Sequence, residues 1–267
     1  MTTPAEAARK ALRGRTRLIN DTAGEVRKLL AQADRQIAAI LAAAPSDYQQ
    51  WLLPQLQAEI RRALAVTGGE AASAVDLGQQ AAWRAGSTLV DDVVAAAGVR
   101  SALPQLDVQQ LTAMRGFLTE KIKGVTLEAA NAINAQLGLV TIGAQTPFDA
   151  VKQVSSILKA DTQRRATTIV HTELARAYST ANQARMEQTA KLVPGMKKRW
   201  VKSGKLHPRL SHAVIHGQEQ LVGAPFLLEG GAVKMMYPHD PSAPARHTIN
   251  CGCVAVPVVP GFRRTTT

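Results

Sequence analysis

Aromatic residues make up only 4% of the 267 positions, and there are just two cysteines. With 46% hydrophobic residues, much of that share alanine, the scarcity of aromatics favours closely packed helices over extensive sheet. Two cysteines in a chain of this length give no disulfide framework and fit a reducing cytoplasm. The longest uncharged apolar run, Ile37 to Ala44, is far shorter than the roughly 20 residues that cross a bilayer. The opening residues carry Arg9, Lys10, Arg13, Arg15 and Arg17 and lack the apolar segment of a signal peptide. Acidic residues are scarce in one half only. Residues 1–150 hold 15 Lys and Arg against 14 Asp and Glu, whereas residues 151–267 hold 17 against 6. The second half therefore carries nearly all of the net charge of +12, together with all six histidines and both cysteines. One half reads as neutral scaffold, the other as the part with chemistry.

Helix signals fill the first half. Thr3-Pro4-Ala5-Glu6 supplies a capping threonine, a proline in the first turn and a glutamate three residues on. Ile19, Ala23, Val26, Leu30, Ala33, Ile37, Ile40 and Ala44 then recur in steps of four and three, a heptad face ended by Pro45 and Ser46. Pro54 starts or interrupts the next helix, Gly68-Gly69 marks a break or bend, and Ala71 to Ala97 reads as a further helix. Asp107 caps a segment to about Lys123, and Thr126 starts a short helix that Gly138 stops. Thr146-Pro147-Phe148-Asp149 repeats the opening signature and leads a helix to about Leu158; Asp161 caps another that Pro194-Gly195 ends. Beyond it prolines recur, long helices cease, and Lys198 to Lys202, Ala232 to Tyr237 and Cys253 to Val259 read as short strands.

Motifs of the second half come in a telling order. Thr172-Glu173-Leu174-Ala175-Arg176-Ala177 lies on a helix, followed by Lys198-Arg199-Trp200 and by Arg209 with His212. Gly217-Gln218, Phe226, Tyr237-Pro238-His239-Asp240-Pro241 and Asn250-Cys251-Gly252-Cys253 complete the series. The stretch from about Phe148 to Pro257 resembles the head morphogenesis domain of phage Mu F-like minor head proteins. Three positions depart from that pattern: His171 stands for an arginine, the aspartate ahead of Arg209 is missing, and Gly252 replaces an arginine. The resemblance implies a minor capsid protein with portal or major capsid protein as partner, present in the virion head after assembly in the host cytoplasm. It also implies structural roles for Glu173, Arg176, Gly217, Tyr237, Pro238, Asp240 and Asn250, and no catalytic residue.

The residues have their own chemistry. Between Arg185 and Arg209 lie eight basic residues against Glu187 alone. Lys197, Lys198, Arg199, Lys202, Lys205 and Arg209, with Trp200 among them, suit either the backbone of double-stranded DNA, without sequence readout, or an acidic protein partner. His212, His216, Cys251 and Cys253 are the candidate metal ligands, because imidazole and thiolate suit tetrahedral zinc in a small loop-rich module. Against that stands the plainer reading of buried small cysteines and hydrogen-bonded histidines. A metal-dependent nuclease using His212, His247, Asn250 and Asp240 is the enzymatic rival, weakened by the lack of paired carboxylates and by the prolines either side of Asp240. Glu173 and Arg176, three apart, fit an intrahelical ion pair.

The expected architecture is mainly α: a helical bundle or coiled-coil hairpin followed by a small α+β module. Residues 1–145 are expected to form a helical assembly and docking region and residues 146–260 the head morphogenesis domain. That domain comprises a long helix over 161–193 and the module over 196–260; residues 261–267 form a basic tail. The expected function is structural, in head morphogenesis; the alternatives are a non-specific DNA-binding module and a metal-dependent nuclease.

Overall fold

A computed structural model describes residues 2–43, 53–99, 103–206 and 208–261. The chain is mainly helical, with long N-terminal helices and a small C-terminal module of a few antiparallel strands. The long helices are α1 (Pro4–Ala43), α2 (Leu53–Ala96), α3 (Gln109–Thr141), α4 (Pro147–Ser156) and α5 (Gln163–Ala190). The C-terminal elements are β1 (Lys197–Val201), α6 (Leu210–Val214), β2 (Glu219–Leu221), β3 (Phe226–Leu228), β4 (Val233–Met235), α7 (Ala245–Thr248) and β5 (Val254–Val258). Among the described residues no helix is long and apolar enough to cross a membrane. Ala44 to Ser46 and most of the basic tail lie outside the described residues.

Local chemistry sets the helix ends. Thr3 Oγ1 accepts from the Glu6 backbone N–H at 3.2 Å while Glu6 Oε2 accepts from the Thr3 N–H at 2.8 Å, the reciprocal box foreseen from the sequence. Thr146 Oγ1 accepts from the Asp149 N–H at 3.1 Å, with Pro147 in the first turn of α4. Asp107 Oδ1 takes the Gln109 N–H at 2.9 Å and so precedes α3.

Four expected interruptions are not there. α2 runs through Gly68-Gly69, and α3 runs through Thr126 and Gly138. Gly68 serves packing instead: a Cβ there would sit 2.4 Å from Thr126 Oγ1. Asp161 does not cap a new helix, because α4 continues through a π-helical segment, Ile157–Thr162, into α5. Thr162 Oγ1 donates to the Ile157 carbonyl, five residues back, at 2.8 Å, which suits the wider turn.

The chain divides into two compact units, each assembled from separate stretches. The helical unit comprises residues 21–77 and 115–170; the mixed unit comprises 1–20, 78–114 and 171–267. In the helical unit Ala33, Ile37, Leu41, Leu64, Ile133 and Leu137 belong to one aliphatic core with Val154 and Leu158. On the heptad face of α1, Ile37 is fully buried, but the next core position is Leu41 and Ile40 is half-buried. A straight helix at 3.6 residues per turn drifts off a 3.5-residue repeat, so the seam moves by one position. Arg115 forks onto both oxygens of Asp76 (2.5 and 2.7 Å), and Arg165 pairs with Glu128.

In the mixed unit β1 is the central strand, flanked antiparallel by β2 and β5; β3 and β4 form a separate hairpin. Their core is Trp200, Phe226, Met186, Met196, Met235 and Val90, with Cys251 and Cys253 in the same cluster. Trp200 meets Phe226 edge to face at 5.2 Å. Gly86 of α2 lies so close to α5 that a Cβ would approach the Tyr178 carbonyl oxygen to 2.2 Å.

Candidate metal centre

Strand pairing brings the cysteines to their place. Trp200 is opposite Ala255 and Val201 opposite Val254, so Cys251-Gly252-Cys253 enters β5 directly beside the end of β1. A Cβ at Gly252 would lie 2.6 Å from Ser203 Cβ, so this approach of loop to strand admits glycine. α6 presents His212, buried at 1% exposure, edge-on to Trp200 with centroids 5.3 Å apart. His212 Nδ1 lies 3.5 Å from both Cys251 Sγ and Cys253 Sγ. The three ligand atoms lie within 4.8 Å of one another, all three residues are buried, and the group could hold a metal ion. Thiolate, thiolate and imidazole are the donors that zinc prefers.

The two sulfurs are not equivalent. The Cys253 thiol hydrogen-bonds Cys251 and holds the Cys251 thiol far below its usual range despite burial; the same bond and burial push Cys253 up. The Cys253 N–H also points at Cys251 Sγ, at 3.4 Å. Cys251 is thus the more acidic sulfur of the pair. Arg15 from α1 is buried beside it: Nη1 donates to the Gly252 carbonyl at 3.4 Å, and the guanidinium sits 5.3 Å from the Tyr178 ring centroid. No carboxylate pairs with Arg15 among the described residues, and burial lowers its proton affinity while Tyr178 and the cysteines oppose that.

Asn250 adopts φ 52, a left-handed conformation that asparagine tolerates. Its N–H donates to Thr172 Oγ1 at 2.9 Å, and its carbonyl and Oδ1 accept from Lys205 Nζ at 2.6 and 2.9 Å. A cavity of about 280 Å³ opens beside the cluster, lined by Ser203, Lys205, Arg209, Asn250 and the three candidate ligands.

His216 does not join its expected partners. α6 ends at Val214 and Gly217, at φ 86, turns the chain towards β2, so His216 is exposed and its Nδ1 accepts the Lys202 N–H at 3.3 Å. Sharing a face with His212 would have required the helix to continue for another turn.

The basic run is also partly corrected. Lys198 and Trp200 are both fully buried and cannot meet DNA or a protein partner from this position. Lys198 Nζ donates to the Met236 carbonyl at 2.5 Å and to Gln183 Oε1 at 3.2 Å, and burial lowers its pKa to about 8. Arg199 pairs with Glu219 at 2.6 Å, and Arg209 donates to the Ile249 carbonyl at 2.7 Å. Lys191, Lys197 and Lys202 are exposed and make no ion pair among the described residues.

The residues singled out as structural interlock within the same unit. Arg176 pairs with the buried Glu173 at 2.6 Å. Gly217 donates its N–H to the Trp200 carbonyl at 2.8 Å. Thr180 Oγ1 and the Tyr237 hydroxyl are 3.4 Å apart, and Pro238 is buried. Of the nuclease candidates, Asp240 spends its carboxylate on the turn: Oδ2 accepts the Met236 N–H at 2.7 Å, and Oδ1 accepts from Ser242 N and Oγ. In the same turn His239 is buried with φ 70, and burial lowers its pKa to about 4.

Two further residues reach the cluster without a sequence signal that ties them to it. His247 Nδ1 lies 3.2 Å from His212 Nε2, with the two rings stacked at 13°, and its own Nε2 approaches Glu229 Oε1 to 3.2 Å. Histidines 35 positions apart give no spacing signal, and Glu229 carries none at all.

No family model matches the chain, and no solved structure matches it. It is similar to the uncharacterized protein YqbB of Bacillus subtilis (strain 168), 35% identical over 99 residues. That alignment covers 36% of this chain and 32% of the relative, so the chain spans about a third of the relative's length.

Proposed function

We propose that this protein is a minor structural protein of a tailed-phage head, of the Mu F-like kind, that acts by contact and not by catalysis. One observation carries the reading. The motif residues that suggested it are scattered from Thr172 to Cys253, yet they are joined by hydrogen bonds and burial within a single unit. Thr172 holds Asn250, Thr180 meets Tyr237, Gly217 holds Trp200, and His212 reaches Cys251 and Cys253. A signature whose parts support one another in this way belongs to a fold, and the fold suits a docking module for portal or capsid protein. Its site in the cell is then the virion head, assembled in the host cytoplasm.

Zinc is the ion that this reading assigns to His212, Cys251 and Cys253, with a fourth donor from water or another group. It would staple the CxC loop to α6. Lys191, Lys197 and Lys202 are the cations left for packaged DNA, held without base readout.

Mass spectrometry of purified particles and procapsids tests the assignment. The chain is expected in both or in one; its absence from both overturns the reading. Replacing Lys191, Lys197 and Lys202 together with Ala is expected to flatten the salt dependence of DNA binding. An unchanged slope would point to an acidic protein partner instead.

A further inference from the structure

We infer that Glu229 and His247 form an outer relay that fixes the protonation and orientation of His212, so that its Nδ1 is the atom that binds metal. The inference rests on the metal reading above and adds two residues to it.

Proton bookkeeping along the chain of contacts leads to one arrangement. A carboxylate can only accept, so the His247 nitrogen at 3.2 Å from Glu229 Oε1, Nε2, is the one that carries hydrogen. Neutral His247 then has a lone pair on Nδ1. That atom faces His212 Nε2 at 3.2 Å, which must therefore be the protonated nitrogen of His212. The lone pair of His212 is left on Nδ1, 3.5 Å from each sulfur. A metal-binding histidine commonly donates its other N–H to an acceptor that sets its tautomer, and here His247 is that acceptor.

The relay is built in a costly way. Glu229 has φ 52, a left-handed conformation that a side chain with a Cβ rarely takes, and Gly230 and Gly231 follow at φ 69 and 98. This tight turn between β3 and β4 aims the carboxylate back towards α7. Arg246, beside His247 on α7, holds the other oxygen, Oε2, at 3.2 Å and leaves Oε1 to the histidine. His247 itself is 2% exposed, stacked on His212 with ring centroids 5.4 Å apart. The contact of His247 Nε2 with Glu229 Oε1 is close but not aligned as a hydrogen bond, so Glu229 acts on His247 through charge and proximity.

The test uses the full chain loaded with cobalt(II) or zinc. Long-range proton–nitrogen NMR correlations of His212 report which ring nitrogen is metal-bound, and competition with a chelating dye reports affinity. Nδ1 ligation is expected, with a loss of affinity of about 10-fold in Glu229→Gln and up to about 100-fold in His247→Phe, which keeps the stacked ring. Ligation through Nε2, or unchanged affinity in both variants, overturns the relay while leaving the metal site standing. A wild-type chain without sulfur-to-cobalt charge-transfer absorption removes the metal reading and the relay with it.

Discussion

The two units solve the problem of holding helices together in opposite ways. The helical unit buries Ile37, Leu64, Ile133 and Leu137 against one another, with ion pairs such as Lys123 with Glu120 left on the outside. The mixed unit buries Lys198, His212, His239, Asp240 and His247 along with Trp200 and Phe226. An aliphatic core is forgiving, because one apolar side chain can partly replace another. A core of polar groups is not, since each donor or acceptor left unmatched costs about 1–3 kcal/mol. The lesson is that specificity in this chain is concentrated in the mixed unit, and general adhesion in the other.

Two glycines of α2 sharpen the contrast. Gly86 in the mixed unit faces the Tyr178 carbonyl, a backbone atom that cannot rotate away. Gly86→Ala is expected to cost about 3 kcal/mol or more in urea unfolding. Gly68 in the helical unit faces Thr126 Oγ1, a side-chain atom that can move only by giving up its bond to the Lys123 carbonyl. Gly68→Ala is expected to cost less than Gly86→Ala, about 1–2 kcal/mol, since a gain in helix propensity of about 1 kcal/mol offsets part of the crowding. Equal effects at the two positions would break the comparison.

Ile133→Ala removes fully buried methyls and should cost about 2–5 kcal/mol by the same assay, whether or not a chelator is present. A chelator-dependent loss would tie the helical unit to the metal and contradict the division drawn above.

Lys198 gives a pH signature. Its pKa is about 8 when folded, below the usual 10.5, because burial disfavours the ammonium. The unfolded chain therefore binds more protons between pH 8 and 10.5, and the Lys198 contribution to stability rises with pH across that window. Relative to Lys198→Met, wild type should gain stability over this range, by on the order of 3 kcal/mol at most. A flat difference between the two unfolding curves would mean that Lys198 is solvated. The smallest effect is expected on the surface of the helical unit, where Glu120→Ala should change stability by less than about 0.5 kcal/mol.

Much of this was legible in the residues. The capping box at Thr3, the cap at Thr146 and the apolar face of α1 are local signals, and local signals survive folding. Strand pairing of β1 with β5 put Cys251 and Cys253 beside one another's neighbours, as a CxC before a strand suggests. The rest failed for identifiable reasons. β2 and β3 are three residues each, too short for alternation to register. The charge of Lys198 points to the surface, but period-two alternation places it on the face of buried Trp200. α2 and α3 ride over their glycines because packing outweighs a propensity cost of about 1 kcal/mol. His247 and Glu229 reach His212 only through tertiary folding, which no spacing encodes.

Hydrogen exchange of the full chain, with and without a zinc chelator and paired with native mass spectrometry, tests the contrast between the units most directly. One zinc per chain is expected, and its removal should speed exchange in β1, β5 and α6 while the α3 amides stay protected. A metal-free chain whose exchange ignores the chelator in both units would contradict the account.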